Sequence, residues 1–442
     1  MRGSARPRAR TQGRDVRRPE WCARRRPCGQ PRHVRQHPAS QYRPGGGPLP
    51  CRRRRAGRVL VQPGRRRRPA HARRTRPADP RAEDGSGGPA LHAQPAPHRD
   101  HRTEIVSAPA PLAITMGEPA GIGGELTLKA WLGRRPTGRS FFAIDDPDRL
   151  KALSGSLGLG VPVHRIATPT EASSVFPTAL PVLPEALEGP VVAGRPDGRN
   201  AGPTLRSIER AARFCTEGTV AGMVTNPIQK KTLQEAGFVH PGHTEYLAVL
   251  AAAPGAPPVD VAMMLACPEL RVVPVTVHLG LAAAITALSV GGIVRTGRVA
   301  ASGLKELFGI DRPRLAVAAL NPHAGEGGTM GDEEIRVIVP AIAALTDAGI
   351  DASGPAPADT LFHAAARSRY DAVLCMHHDQ ALIPLKTVDF AGGVNVTLGL
   401  PFVRTSPDHG TALDIAGKGT ADPASLIAAI AMADDMARRR GR

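Results

Sequence analysis

The residues best suited to chemistry lie in three histidine-bearing segments. Leu320-Asn321-Pro322-His323-Ala324-Gly325-Glu326-Gly327-Gly328 falls between Val277-His278-Leu279 and Met376-His377-His378-Asp379-Gln380. Neutral imidazole is a common ligand for zinc and similar ions, and three protein ligands with one open position is the pattern of a catalytic metal site. His278, His323 and one of His377 and His378 are therefore a candidate site for one divalent ion. Taken singly, each is an ordinary polar cap at a strand end, and only the neighbours argue for more. Asp379 is placed to orient an imidazole or to handle a proton. Asn321 and the glycines at 325, 327 and 328 let backbone approach a ligand closely.

Other segments look able to hold an anion. Gly242-His243-Thr244-Glu245 opens an amphipathic helix. Thr244 there is a plain N-cap or part of an anion site, since a helix start offers free N–H groups and His243 adds a donor. Lys386, Asn395 and Arg404 follow at intervals of nine. A lysine point charge and an arginine fork suit phosphate or carboxylate, and both follow apolar runs where an unpaired cation is costly. The Gly-punctuated loop 408–419, DHGTALDIAGKG, has room for a nucleotide, while the usual GxGxxG fingerprint is absent. A second Gly-rich strand-to-helix turn lies at 117–123.

Each histidine segment follows a short aliphatic run, which places it at the mouth of a strand. Strands are expected at 112–115, 141–144, 161–166, 221–225, 261–267, 271–277, 315–320, 372–376 and 394–398. Those at 261–267 and 271–277 read as an antiparallel pair around Pro268-Glu269. Helices are expected at 121–131, 204–215, 229–236, 333–348 and 423–438, with a further long helical stretch after His278 broken near Gly291-Gly292. Continuous apolar strands alternating with helices predict a three-layer α/β/α fold around a mostly parallel sheet. Ligands in such sheets bind beyond the carboxyl ends of strands. Thr225, His278, 321–323, His377 and His378 fall in those places.

The 442 residues carry a formal charge of +19, but unevenly. Residues 1–105 hold 28 Arg, no Lys and seven acidic residues, and the remaining 30 basic and 32 acidic residues leave the body at −2. This first quarter has no hydrophobic period and too little apolar surface to offset the entropy of ordering, so a disordered Arg/Pro-rich tail is expected. It reads as a frame upstream of the true start, near Val106, or as a nucleic-acid arm. No apolar run in the chain reaches bilayer-spanning length. Cys215, Cys267 and Cys375 of the body are far apart in apolar segments without CxxC spacing, as in a reduced cytoplasmic protein.

The segments ITMGEPAGIG, GHTEYL, LNPHAGEGG, PADTLF, HDQALIPLK and GVNVTLGLPFVRTSPDHGTALDIAG, spread over 111–435, together resemble the 4-hydroxythreonine-4-phosphate dehydrogenase family. The resemblance implies an isocitrate/isopropylmalate dehydrogenase-like fold of two lobes with a cleft. One lobe would comprise 106–224 with 401–442, and the other, carrying the metal and the dimer contacts, 225–400. It implies that His278, His323 and His378 are metal ligands, one of them given across a homodimer interface, for Zn, Mg or Co. It implies that His243, Thr244, Lys386, Asn395 and Arg404 bind substrate. The loop with His409, Gly410, Asp414 and Gly417 resembles the adenosine-binding loop of the isocitrate and isopropylmalate dehydrogenases, which also bind NAD without GxGxxG. Asp414 points to NAD over NADP. Glu118, Asp359 and Asp379 fall in family motifs, and Asp379, Asp359 and Lys386 are the candidates for the proton chemistry.

The activity implied is NAD-dependent, metal-assisted oxidation and decarboxylation of 4-phosphooxy-L-threonine to 3-amino-2-oxopropyl phosphate, in pyridoxal phosphate biosynthesis in the cytoplasm. The alternatives are a paralogous dehydrogenase for a phosphorylated sugar acid (4-phosphoerythronate or threonate) or a cis-dihydrodiol carboxylate, and, in another class, a nucleic-acid binder acting through its tail. Several residues depart from the family pattern: Gly280 and Ala282–Ala284 after His278, Gly124 in the first motif, and His377 where Tyr is commonest. His377 is thereby a second candidate for the metal.

Overall fold

The computed structural model describes residues 109–134 and 138–441. The Arg-rich stretch 1–105, with the tail, start-site and nucleic-acid readings attached to it, lies outside the described residues. The body has a mixed α/β fold with two lobes, strung on one twelve-stranded sheet. In chain order the strands are β1 Leu112–Thr115, β2 Phe141–Asp145, β3 Val163–Arg165, β4 Leu180–Pro184, β5 Gly222–Val224, β6 Ala262–Cys267, β7 Leu270–Pro274, β8 Arg314–Ala318, β9 Asp351–Ala356, β10 Ala372–Cys375, β11 Val394–Leu398 and β12 Val403–Pro407. Across the sheet they run β3-β4-β2-β1-β5-β12-β11-β6-β7-β10-β8-β9.

Continuous apolar strands form here because both faces are covered. Leu112 and Ile114 of β1 join one core and Ala113 the opposite one. In β10, Ala372 and Leu374 face the first core while Val373 and Cys375 face another. The first core is continuous over both lobes, under the helices Gly123–Leu132, Val290–Phe308, Val339–Asp347 and Ala424–Arg439. On the other face the core is split. One part lies under the helix Ala201–Glu217 and the other under His378–Val388. The gap between them falls over β12 and β11, where Arg404 and Asn395 replace apolar residues.

Strand direction corrects the carboxyl-end expectation. β12 is parallel to β5, but β11, β6 and β7 each run antiparallel to the strand before, and β10 and β8 follow β7. The carboxyl ends of β7, β10 and β8 therefore point opposite to those of β5 and β12. Thr225 and the histidine segments do not share one sheet edge, and the cleft must involve the sheet face.

Local features also differ from expectation. The break after His278 falls at Leu288-Ser289, between the helices Leu281–Ala287 and Val290–Phe308. The Ser289 hydroxyl caps the second helix by accepting from Gly292 N, so Gly291 and Gly292 lie inside its first turn. Gly242, not Thr244, is the N-cap of the helix His243–Leu250. The segment 333–348 begins with a π-helical turn, Glu334–Ile338. β4, β9 and β12 carry too little sequence pattern to be read as strands in advance. Among the described residues no helix is long and apolar enough to cross a membrane.

Candidate active site

The gap in the core opens as a cavity of about 390 Å³. Its floor comes from the sheet face: Met263 of β6, Asn395 of β11, and Arg404 and Ser406 of β12. Register explains the grouping. Asn395 pairs with Ser406 and with Leu265, and side chains two apart on a strand share a face. The walls are Thr225 and Asn226 after β5, Lys230, the helix start at Gly242–Glu245, His278, and Asp408 to Gly410 after β12.

Arg404 is the cationic centre and is only 3% exposed. Its Nη2 donates to Thr225 Oγ1 at 2.6 Å, and its Nη1 donates to Thr397 Oγ1 at 2.9 Å and, at 3.4 Å, to Asn395 Oδ1. Every one of those acceptors is neutral, and Nε has no partner. Burial pulls the guanidinium down to about 10, against the pull of Glu245. His243 is in the same position. Burial first, then Arg404 and Lys230, hold its imidazole well below its ordinary range, and its Nε2 is buried without a partner. A neutral imidazole beside a buried cation, each with an idle donor or acceptor, is arranged for an anionic ligand with hydrogen-bonding groups.

Lys386 reaches the same region from the helix His378–Val388. Its Nζ donates to the Asp408 carbonyl at 2.9 Å and pairs with Asp408 Oδ2 at 2.8 Å. Burial raises the Asp408 carboxyl, and Lys386 opposes the rise. Lys386 is therefore a tether for the loop that begins at Asp408. Thr244 lines the cavity from the second position of its helix.

His278, His377, His378 and Asp379 line an adjoining hollow of about 170 Å³. The rings of His278 and His378 stand 6.2 Å apart, centroid to centroid. Burial, with help from Lys230, pushes His278 towards its neutral form. His378 Nδ1 lies 2.8 Å from Asp379 Oδ1, which turns Nε2 outward and matches the carboxylate–imidazole pairing typical of metal ligands. The exposed Asp379 carboxyl is held low by that hydrogen bond. His377 has another task. It is the N-cap residue of the helix, and its Nδ1 accepts from Gln380 N at 3.4 Å.

His323 is exposed on the loop after β8 and lines neither cavity. β7, β10 and β8 are adjacent and parallel, so all three histidine segments leave the same sheet edge. Among the described residues, however, no three His, Cys, Asp or Glu side chains within one chain gather to hold an ion. Asp359 is exposed in the turn Ala358–Thr360, apart from both cavities. Of the nucleotide loop, His409 and Gly410 line the large cavity, while Asp414 and Gly417 are exposed further along. Gly417 has φ +72°, and a Cβ there would meet the Ala193 Cβ at 2.8 Å, so the loop is seated against the turn at 193–194.

Comparison with known proteins gives the family. The family described as "Pyridoxal phosphate biosynthetic protein PdxA" matches residues 139–433. The chain belongs to the PdxA family. A relative in Caulobacter vibrioides, named 4-hydroxythreonine-4-phosphate dehydrogenase, is 56% identical over 335 residues, covering 75% of this chain and 98% of that protein. One of the same name in Bradyrhizobium diazoefficiens is 53% identical, covering 74% and 97%. The crystal structure of 4-hydroxythreonine-4-phosphate dehydrogenase from Klebsiella pneumoniae superposes with a TM-score of 0.67 at 39% identity, over 74% of this chain and 99% of that one.

Lys230 and Thr397 are site residues that the sequence reading missed, while Glu245 and Asp408 lie in segments it singled out without giving them a role of their own. Lys230 sits in a polar helix start that looks like any solvated segment. Glu245 closes the Gly242–Glu245 motif, and its Oε2 is buried without a partner. Thr397 lies in the same alternation as Asn395, a signal that period-2 reading of β11 supplies once the strand is known to be central.

Proposed function

We propose that the chain oxidises and decarboxylates 4-phosphooxy-L-threonine with NAD, giving 3-amino-2-oxopropyl phosphate for pyridoxal phosphate synthesis. The observation that carries this is the buried Arg404 beside the half-buried His243, with their idle Nε and Nε2, in a cavity that Lys230 also lines. Such a site favours a small, doubly anionic, hydroxylated substrate. Arg404 and Lys230 would take the phosphate or carboxylate, and Asn395 and Thr244 would fix its orientation. Holding the substrate so supplies much of the acceleration.

The donor set fits a divalent ion: burial pushes His278 towards its neutral form, and Asp379 fixes the ring of His378. We assign His278, His323 and His378 as its ligands, with Zn, Mg or Co as candidates and the trio completed across a homodimer. When bound, the ion would acidify the substrate hydroxyl and stabilise negative charge at the neighbouring oxygen during loss of carbon dioxide. Asp379 would serve the metal site by fixing the ring of His378 and stays a candidate for the proton chemistry in its own right. Asp359, away from the cavities, is retained only as a candidate through a second subunit. NAD, or NADP, supplies the hydride acceptor. It would sit on a loop of the isocitrate and isopropylmalate dehydrogenase type, with His409 and Gly410 at the cavity mouth and Asp414 and Gly417 on the solvent side. The lobes proposed are 106–224 with 401–442, and 225–400. This division is supported by the sheet order, which keeps β1–β5 with β12 and β6–β11 together.

The test is NADH formation by protein truncated near Val106 on a panel of 4-phosphooxy-L-threonine, 4-phosphoerythronate and a cis-dihydrodiol carboxylate. Turnover of the first, abolished in His278→Ala with the melting temperature retained, supports the reading. Selective turnover of either other substrate overturns it.

A further inference from the structure

The loop carrying His323 has an unusual backbone. His323, Ala324, Gly325, Glu326, Gly327 and Gly328 all have positive φ, at 51°, 53°, 75°, 40°, 68° and 98°. Three of the six carry a side chain, and each such residue in the left-handed region costs about 1–2 kcal/mol. A run of this kind persists only when its surroundings over-determine it.

The surroundings centre on one buried carboxylate. Glu334, 3% exposed, opens the π-helical turn Glu334–Ile338. Its Oε1 accepts from Leu320 N and Asn321 N, both at 2.8 Å, and its Oε2 accepts from Asn321 Nδ2 at 2.9 Å. Glu333 Oε2 takes the other Asn321 Nδ2 proton at 2.7 Å. The fit is close on every side. A Cβ at Gly325 would lie 2.7 Å from Glu334 Oε2, and one at Gly331 would overlap Asn321 Nδ2. Those hydrogen bonds hold the Glu334 carboxyl below its ordinary range despite its burial. Gln380 makes a comparable link across the sheet edge. Its Oε1 accepts from Met376 N at 2.7 Å, and its Nε2 donates to the Ala319 carbonyl at 2.6 Å. The entry to the His323 loop is thus pinned to the strand end that leads into His378.

We propose that Glu334 is a positioning residue for the metal site: it fixes the backbone at 320–321, launches the left-handed run and so presents His323. The inference rests on the reading of His323 as a ligand. Glu334 touches neither substrate nor ion, and nothing in the resemblance assigned it a role. Glu334→Gln keeps one oxygen for the two backbone N–H groups but turns an NH₂ onto Asn321 Nδ2, donor against donor.

The experiment is a cobalt(II) titration of full-length protein stripped with chelator, followed by visible absorption and calorimetry. Metal-free melting curves report the fold. The expected result is cobalt binding by wild type, binding about ten- to a hundredfold weaker with an altered visible spectrum in Glu334→Gln, and a smaller loss in Glu333→Gln. Wild-type affinity and spectrum in Glu334→Gln overturn the proposal while leaving the metal reading intact. Absence of cobalt binding by wild type removes the metal reading and the proposal with it. If Glu334→Gln does not fold, Gly331→Ala decides. It displaces Asn321 without changing a charge, so weakened cobalt binding supports the role and unchanged binding overturns it.

Discussion

Arg404→Met should make the ligand-free protein more stable and nearly inactive. The guanidinium is buried, its three acceptors are neutral oxygens, and Glu245 acts on it only through space. Burial lowers it from 12.5 to about 10, which at 1.36 kcal/mol per unit is a cost of roughly 3 kcal/mol for the charged form. Folded and unfolded values both lie far above neutrality, so the folded state bears the whole cost at pH 7. Methionine fills a similar volume without charge. Thr225 and Thr397 then each lose a short hydrogen bond, which returns part of the gain at about 1 kcal/mol for each, while the long 3.4 Å contact to Asn395 adds little. The net expected is a stabilisation of about 1 kcal/mol, read as a shift of the urea midpoint at unchanged slope. Removing the buried partner of a substrate anion costs about 3–5 kcal/mol, so kcat/KM should fall by two to three and a half powers of ten. The reasoning is refuted if Arg404→Met is less stable than wild type by 1 kcal/mol or more, because the cation would then be structural. Turnover within tenfold of wild type would refute the assignment of the anion site. The trade of stability for function is the expected signature of a buried binding residue held ready for its ligand.

The same packing and charges predict three further outcomes. His243 is depressed in the folded state, so the unfolded chain binds its proton first; stability is full above about pH 6.5 and falls as the pH drops below that value. Urea midpoints between pH 5 and 8 should therefore slope less in His243→Gln, and an unchanged slope counts against the assignment. Lys386→Met strands the partly buried Asp408 and should destabilise by about 1–3 kcal/mol, measured by denaturant unfolding, with a raised KM for NAD as the loop at 408 loosens. Gly222→Ala puts a Cβ 2.8 Å from the Val403 Cβ, between β5 and β12. It should cost about 1–3 kcal/mol, and a melting temperature equal to wild type would show that the two strands can part more easily than their packing implies.

Much of the architecture was legible in the residues. Alternating apolar strands and helices set the three-layer fold, because a strand such as β10, apolar at every position, can be buried only if both faces are covered. The antiparallel pair at Pro268-Glu269 was equally plain. Strands with weak patterns were not: β9 is DASGPA, largely at the sheet edge, and its burial is incomplete. The role of His377 was also hidden, since capping depends on the helix that starts after it.

By itself the sequence determined which side chains were available: histidines after aliphatic runs, cations after buried strands, and a nucleotide-sized loop. Periodicity and residue chemistry are local, and they survive in a string. Tertiary structure decided which of these meet. Strand direction in the sheet sends the ends of β7, β10 and β8 away from those of β5 and β12, and moves the cavity onto the face where Arg404 and Asn395 split the core. It brought His278 to His378 across about a hundred residues, gave Lys386 to Asp408, and left the last histidine on a loop set by Glu334. Pairings of that kind depend on register and crossover, which the spacing of residues along a chain does not encode.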